Sequence, residues 1–286
     1  MPGVAIFGVT GRMGQCLLRA LAEQGDSPDS AEERLTLSGA LASAGSPLLG
    51  AHAAGAHAAG ATAILITSDL RTALEGAAVA LDFSHPHSLP LHLEACLDTH
   101  TPLLVGTTGL EPAALAAIEA AAARIAVLVA PNTSLGVAVL TRLTSIATRA
   151  LGGSSASATA IAIAAPVDIE ISETHHRAKR DAPSGTALAL GAAVAAVRGV
   201  PLEALAVRDR AAGAGPRAAS SIGFSSRRAG DVVGEHTVLF AGSGEQLELT
   251  HRATDRMVFA RGALAAARWL IGRPPGRYGM ADVLGV

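Results

Sequence analysis

The sequence predicts an α/β fold in two parts: a parallel-sheet domain made of residues 1–132 and 251–286, and an α+β domain, residues 133–250, inserted between them. Three observations lead there. Short apolar runs alternate with alanine-rich helical stretches through the first half, the pattern of a parallel sheet covered on both faces. After Pro131-Asn132 the texture shifts to a long β-rich run and then strands joined by glycine-containing turns. The length, 286 residues, also exceeds the roughly 100–200 of one ordinary domain.

In order, the apolar runs predict strands over 4–7, 35–41, 63–67, 78–82, 103–105 and 125–129. Periodic apolar positions predict helices over 12–24, 87–99 and 112–124, the last opening on Glu111-Pro112. The stretch 45–61, with its AHAAGAHAAGA repeat, reads as a surface connection, and its His52 and His57 as solvent-facing residues and not metal ligands. A helix is expected over 135–150, a β-rich run over 159–173 and a further helix from near Ser184. Antiparallel strands are expected over 218–226, 232–240 and 246–250, joined by Arg-Ala-Gly-Asp and Ala-Gly-Ser-Gly-Glu turns. A closing helix, 261–270, returns to the α/β texture.

Composition excludes several classes. Half the residues are hydrophobic, 16% are charged and mean hydropathy is +0.39, which is incompatible with intrinsic disorder. No apolar stretch reaches the ~18 residues of a membrane span, and Met-Pro-Gly runs into Val4-Ala5-Ile6-Phe7 without a basic leader or cleavage site. A soluble cytoplasmic protein is therefore expected. Twenty-two basic residues against 24 acidic ones are too balanced for a nucleic-acid or membrane-surface binder. Cys16 and Cys96, in apolar helical contexts, supply no disulfide framework. Of the 22 basic residues, 21 are arginine and one is Lys179. A lysine surviving in such a chain is a candidate for chemistry that a planar, permanently charged guanidinium cannot perform.

Gly8-Val9-Thr10-Gly11-Arg12-Met13-Gly14 sits where the first strand turns into the first helix. Glycines there permit a tight turn and close backbone approach, and the helix start favours a pyrophosphate, which makes the outer domain Rossmann-like. Thr10 stands where the common fingerprint has its second glycine. The acid that would grip an adenosine ribose is missing from the end of the second strand, Ala42-Ser43, and no arginine replaces it, so NADH and NADPH are not distinguished. Gly106-Thr107-Thr108-Gly109, Asp82-Phe83-Ser84 and Ala130-Pro131-Asn132-Thr133 end three further strands on the same carboxyl edge, where ligands of open α/β sheets bind.

The densest chemical constellation is Glu173-Thr174-His175-His176-Arg177-Ala178-Lys179-Arg180-Asp181-Ala182-Pro183-Ser184-Gly185-Thr186. Two histidines, the only lysine and two arginines would attract an anion. Pro183 suits a first helical turn, and Ser184, Gly185 and Thr186 open the helix as a carboxylate-sized site. Histidine can hand over a proton near neutral pH, and lysine can stabilise developing negative charge or share the delivery. No Cys or acid stands at ligand spacing beside the histidines to make a zinc site.

Together, the histidine-lysine string, Gly8-x-x-Gly11-Arg12-Met13-Gly14, Gly106-Thr107-Thr108-Gly109 and Arg228-Ala229-Gly230-Asp231-Val232-Val233-Gly234-Glu235-His236-Thr237 resemble the 4-hydroxy-tetrahydrodipicolinate reductase (dihydrodipicolinate reductase) family over residues 4 to about 284. The resemblance implies NADH- or NADPH-dependent reduction of a cyclic dicarboxylate to tetrahydrodipicolinate with loss of water, on the diaminopimelate route to lysine. It implies His175 as proton donor/acceptor, Lys179 as second proton donor, and His176, Gly185 and Thr186 as holders of the substrate carboxylates. The cofactor would be lined by Gly8, Val9, Thr10, Gly11, Arg12 and Met13, by Gly106, Thr107 and Thr108, and by Ala130, Pro131, Asn132 and Thr133. A homotetramer is implied as well, with the inserted domain serving both substrate binding and oligomerisation. Two positions depart from the family pattern: Ala42-Ser43 replaces an acidic residue often followed by arginine, and Thr133 replaces the usual Phe.

In the mechanism that follows, hydride passes from the nicotinamide to a ring carbon conjugated to the imine and His175 protonates the resulting enamine carbon, the two domains closing to exclude water. Two alternatives remain open: a related reductase or amino-acid dehydrogenase for another small acid, and a non-catalytic NAD(P)H-sensing protein.

Overall fold

The computed structural model describes residues 1–24, 34–53, 64–151, 167–210 and 215–285. In chain order its elements are β1 (Gly3–Phe7), α1 (Arg12–Ala22), β2 (Thr36–Leu41), β3 (Ile66–Thr67), α2 (Leu70–Leu74), β4 (Ala77–Asp82), α3 (Leu89–Asp98), β5 (Leu103–Val105), α4 (Pro112–Ala122), β6 (Ala126–Val129), α5 (Leu135–Ala150), β7 (Asp168–His175), α6 (Gly185–Arg198), α7 (Leu202–Leu205), β8 (Ala206–Val207), β9 (Ile222–Arg228), β10 (Gly234–Ala241), β11 (Gln246–Ala253), α8 (Met257–Leu270), β12 (Gly276–Tyr278) and α9 (Met280–Leu284). The chain divides into two units, Met1–Leu135 with Met257–Val286, and Gly136–Arg256.

In the first unit the order β12-β6-β5-β4-β1-β2-β3 forms one sheet, and every pairing in it is parallel. β1 is buried at all five positions, as expected of a strand covered on both faces. Phe7, Leu89, Leu103, Ile118 and Val127 centre the core, each contributing about 1.5–3 kcal/mol by its burial. Cys16 and Cys96 are both buried and unpaired. The helix expected over 87–99 starts two residues later, because Pro86–Ser88 forms a separate 3-10 turn. His52 is exposed; His57 and most of the repeat around it lie outside the described residues, as does the first half of the run 159–173.

The second unit carries a sheet of order β11-β10-β7-β9-β8. β10 pairs antiparallel with both β11 and β7, whereas β9 pairs parallel with β7. The expectation that the segments around 218–226 and 232–240 are antiparallel neighbours is thereby corrected, since β7 lies between them. A turn sequence fixes where the chain reverses, not which strand it meets. Here α6, α7 and β8 supply the long crossover that a parallel β7–β9 pair needs. Ile169 and Ile171 of β7, Ile222 and Phe224 of β9, and Val238 and Phe240 of β10 pack on Leu140 of α5 and Leu190 and Val194 of α6. Ser184 caps α6 by accepting the Ala187 N–H at 3.1 Å, and Gly199, at φ +68°, closes it. Pro183 therefore stands before the cap and not in the first turn. Among the described residues, no helix is long and apolar enough to cross a membrane.

Candidate active site

Along β7 the inward face reads Ile169, Ile171, Glu173, His175, so a strand that starts in the apolar core ends by burying a carboxylate and an imidazole. The register sets their neighbours. His236 of β10 is the partner of Glu173, and Arg228 of β9 the partner of His175. His175 Nδ1 lies 2.5 Å from Glu173 Oε2. The Arg228 guanidinium donates to both carboxylate oxygens at 2.8 Å, and the Ser184 N–H donates to Oε1 at 3.3 Å. Burial pushes the Glu173 carboxyl up, but the bonds from Arg228, His175 and Ser226 outweigh it and hold the group at about 2. Burial pushes His175 down, helped by the Lys179 and Arg228 charges and opposed by Glu173, and the net shift is downward. With the carboxylate ionised and the imidazole neutral, Nδ1–H is the donor and Nε2 carries the lone pair.

His236 stands edge-on to His175 with ring centroids 5.1 Å apart, and its Nε2 is 2.9 Å from Ser184 Oγ. Burial first, then the charge of His175 whenever that ring is protonated, pushes His236 down to about 4. Ser184 is thus buried, its hydroxyl occupied by the helix cap and His236. Gly185 is exposed at the start of α6 and Thr186 half-buried behind it; the first turn holds no acidic residue. His176 is half-buried. Lys179 Nζ pairs with Asp181 Oδ2 at 2.9 Å. The Ala229 N–H donates to His175 O at 2.9 Å and the Arg177 N–H to Gly230 O at 3.1 Å, so the turn after β9 braces the histidine segment.

In the first unit, the residues expected to line a cofactor gather at the carboxyl ends of β1, β5 and β6. Gly8 turns at φ +79°, and the Gly8 and Val9 N–H groups both donate to Leu41 O at 3.0 Å. A Cβ on Gly14 would lie 2.4 Å from the Gly8 and Val9 carbonyl oxygens, so α1 can pack this close only with glycine there. The N-cap of α1, Gly11, has no side-chain capping bond, and the first turn has no acid; Gly11, Arg12 and the half-buried Thr10 and Met13 surround an open helix start. This fits a pyrophosphate held by backbone N–H groups.

Asp82, at the end of β4 and the first residue of the Asp82-Phe83-Ser84 strand end expected on this edge, organises it through its carboxylate. Its fully buried carboxylate accepts from the Ser84 N–H (2.9 Å), Ser84 Oγ (2.5 Å), Thr107 Oγ1 (3.0 Å) and His92 Nδ1 (2.8 Å). Thr107 therefore turns its hydroxyl inward, and Thr108 beside it is exposed. A Cβ on Gly106 would lie 2.2 Å from the Phe83 ring. Ala130 is buried, its N–H bonded to Val105 O, while Pro131 is exposed and Asn132 Oδ1 accepts the Ser134 N–H at 2.9 Å. Thr133 Oγ1 donates to Phe259 O at 2.7 Å in the first turn of α8, so this side chain serves packing. Ala42 is buried and Ser43 exposed at the end of β2. No metal-binding group of His, Cys, Asp or Glu occurs among the described residues.

Residues 3–133 match the family described as dihydrodipicolinate reductase, N-terminus, and residues 136–284 its C-terminus. The chain is 48% identical over 283 residues to the 4-hydroxy-tetrahydrodipicolinate reductase of Alkalilimnicola ehrlichii, covering 99% of this chain and 98% of that protein. The Thiobacillus denitrificans protein of the same name is 47% identical with the same coverage. Among solved structures, the dipicolinate-bound dihydrodipicolinate reductase from Paenisporosarcina sp. TG-14 shares the fold at a TM-score of 0.72, with 24% identity and 99% of each chain covered.

Proposed function

The chain belongs to the dihydrodipicolinate reductase family, and from that premise we propose how its own residues carry out the reduction of 4-hydroxy-tetrahydrodipicolinate to tetrahydrodipicolinate. The reaction is NAD(P)H-dependent, releases water and lies on the diaminopimelate route to lysine. The pyridine nucleotide, when bound, supplies the hydride. Gly8 to Met13 bind its pyrophosphate at the start of α1, while Gly106 to Thr108 and Ala130 to Thr133 line the rest of its site.

His176, Lys179 and the N–H groups of Gly185 and Thr186 hold the substrate carboxylates. Asp181 is exposed and Lys179 half-buried, and an ion pair open to water on one side contributes about 0–1 kcal/mol, so the ammonium exchanges Asp181 for a substrate group at little cost. His175 donates the proton from Nε2 to the ring carbon beside the one that receives hydride, and Lys179 shares in proton delivery. Ser184 acts indirectly by fixing the start of α6. Burial lowers the proton affinity of His175 in the free protein, and the negative charge of an arriving dicarboxylate raises it again, arming the ring as the acid.

The observation that carries this reading is the convergence, within residues 175–186, of an imidazole whose Nδ1 is already engaged, an ammonium and the start of α6, whose first turn holds no acidic residue. We further propose a cytoplasmic homotetramer; the exposed run Gln246 to Glu248 on the edge strand β11 supports a covered sheet face, and the native mass tests it. Purified protein mixed with the hydroxy-tetrahydrodipicolinate should consume NADH or NADPH and leave aspartate unoxidised. Aspartate oxidation in its place would point to an amino-acid dehydrogenase, and no nucleotide consumption to a sensing protein.

A further inference from the structure

We propose that Glu173 and Arg228 are the positioning pair of this site: Glu173 holds Nδ1 of His175 so that Nε2 exchanges the proton, and Arg228 links Glu173 to the segment that carries Lys179. The inference rests on His175 being the proton-transfer residue.

Glu173 is fully buried, and a carboxylate removed from water needs a counter-charge and hydrogen-bond donors. Arg228 provides both through a two-pronged contact. If the pair served stability alone, the contact could end there. Instead the carboxylate also takes the Nδ1 side of His175 at 2.5 Å, and the remaining Arg228 donors reach along the following segment. Nε donates to Lys179 O at 3.3 Å and Nη2 to Asp181 O at 2.5 Å. One guanidinium thereby touches the carboxylate that orients the imidazole and the backbone that positions the ammonium. A fixed tautomer matters because a ring free to rotate presents the wrong nitrogen part of the time, and every correctly set encounter then costs side-chain entropy.

The charged and titratable groups facing His175 are Glu173 on its own strand, Lys179 on the segment that follows, Arg228 on β9 and His236 on β10. Glu173 alone among them favours the imidazolium. Glu173→Gln removes that influence while nearly keeping the shape, and it turns an amide N–H₂ toward the Arg228 donors or the His175 ring.

The test compares Glu173→Gln, Glu173→Asp and Arg228→Lys with the wild type in kcat, KM, the pH profile of kcat and NADH affinity by fluorescence titration. Glu173→Gln should lower kcat about 10²-fold, the scale of lost acid catalysis, with NADH affinity unchanged and the His175 limb of the profile moved to lower pH. Glu173→Asp, which keeps the charge, should recover part of kcat; Arg228→Lys, which keeps charge but not the fork, should fall between wild type and Glu173→Gln. A Glu173→Gln enzyme with wild-type kcat and an unmoved limb overturns the proposal. Because the variant could fold poorly, the wild-type protein gives an independent reading: NMR of isotope-labelled histidine should find His175 protonated on Nδ1 in the free enzyme, and an Nε2-protonated ring overturns it. Full activity in His175→Ala would instead remove the reading beneath it.

Discussion

A Cβ placed on Gly234 would lie 3.0 Å from Nε2 of His175. The nitrogen assigned to proton transfer therefore borders the one position at the start of β10 that carries no side chain. Gly234→Ala should press on the ring and lower kcat about tenfold, with the fold and NADH affinity retained. The backbone does not need glycine there, since Gly234 is absent from the positive-φ positions. Steady-state kinetics with NADH titration checks this, and unchanged kcat would show that the ring has room to move aside.

Lys179→Arg retains the charge and can still reach Asp181, yet it replaces a compact proton donor by a wide guanidinium that does not release its proton. We expect kcat to drop by about 10²-fold, in the range of lost general-acid catalysis, with a smaller change in KM. Near wild-type turnover would mean that only positive charge is needed at this position.

Asp82→Asn leaves four donors, from Ser84 N–H, Ser84 Oγ, Thr107 and His92, facing a side chain with one acceptor oxygen and an N–H₂ group. Breaking a buried polar network of this kind costs about 3–5 kcal/mol. Because the network sets the ends of β4 and β5, the loss should appear as a lower Tm together with a raised KM for the nucleotide, and kcat at saturating nucleotide should change less.

Acid lability should come in two windows. His236 titrates at about 4 in the folded protein against 6.5 ordinarily, so between those values the unfolded chain binds a proton that the folded one does not. Stability is full above about pH 6.5 and declines as pH falls towards about 4, a loss on the order of 3 kcal/mol. His175 and His251, also lowered, act in the same sense. Glu173, held at about 2 against 4.5, adds stability above about pH 4.5 that is lost as pH falls towards 2. Thermal unfolding from about pH 7.5 to 5 should show Tm falling, and His236→Gln should flatten that fall.

What the sequence makes legible follows from how each element is stabilised. β1, β4, β5 and β6 are buried on both faces and must be written as apolar runs, so Val4 to Phe7 or Leu103 to Val105 announce themselves. β12, Gly276–Tyr278, carries no such run; it joins the sheet through parallel backbone pairing with β6, which leaves little trace in residue type. The site divides the same way. The string from Glu173 to Thr186 is dense enough to stand out locally, whereas Arg228 and His236 reach it only through strand register, 55 and 63 positions after Glu173. A usable signal for Glu173 did exist: the alternation Ile169, Ile171, Glu173, His175 places it on the buried face. For Thr107 and Thr133 residue type does not tell where the hydroxyl goes: hydrogen bonding directs it to the Asp82 carboxylate and to the Phe259 carbonyl.

Turnover of His175→Ala, measured beside its NADH dissociation constant, bears most directly on the proposed proton transfer. A loss of about 10²-fold or more in kcat with NADH affinity unchanged is the predicted result; turnover within about twofold of the wild type, well below that range, would contradict it.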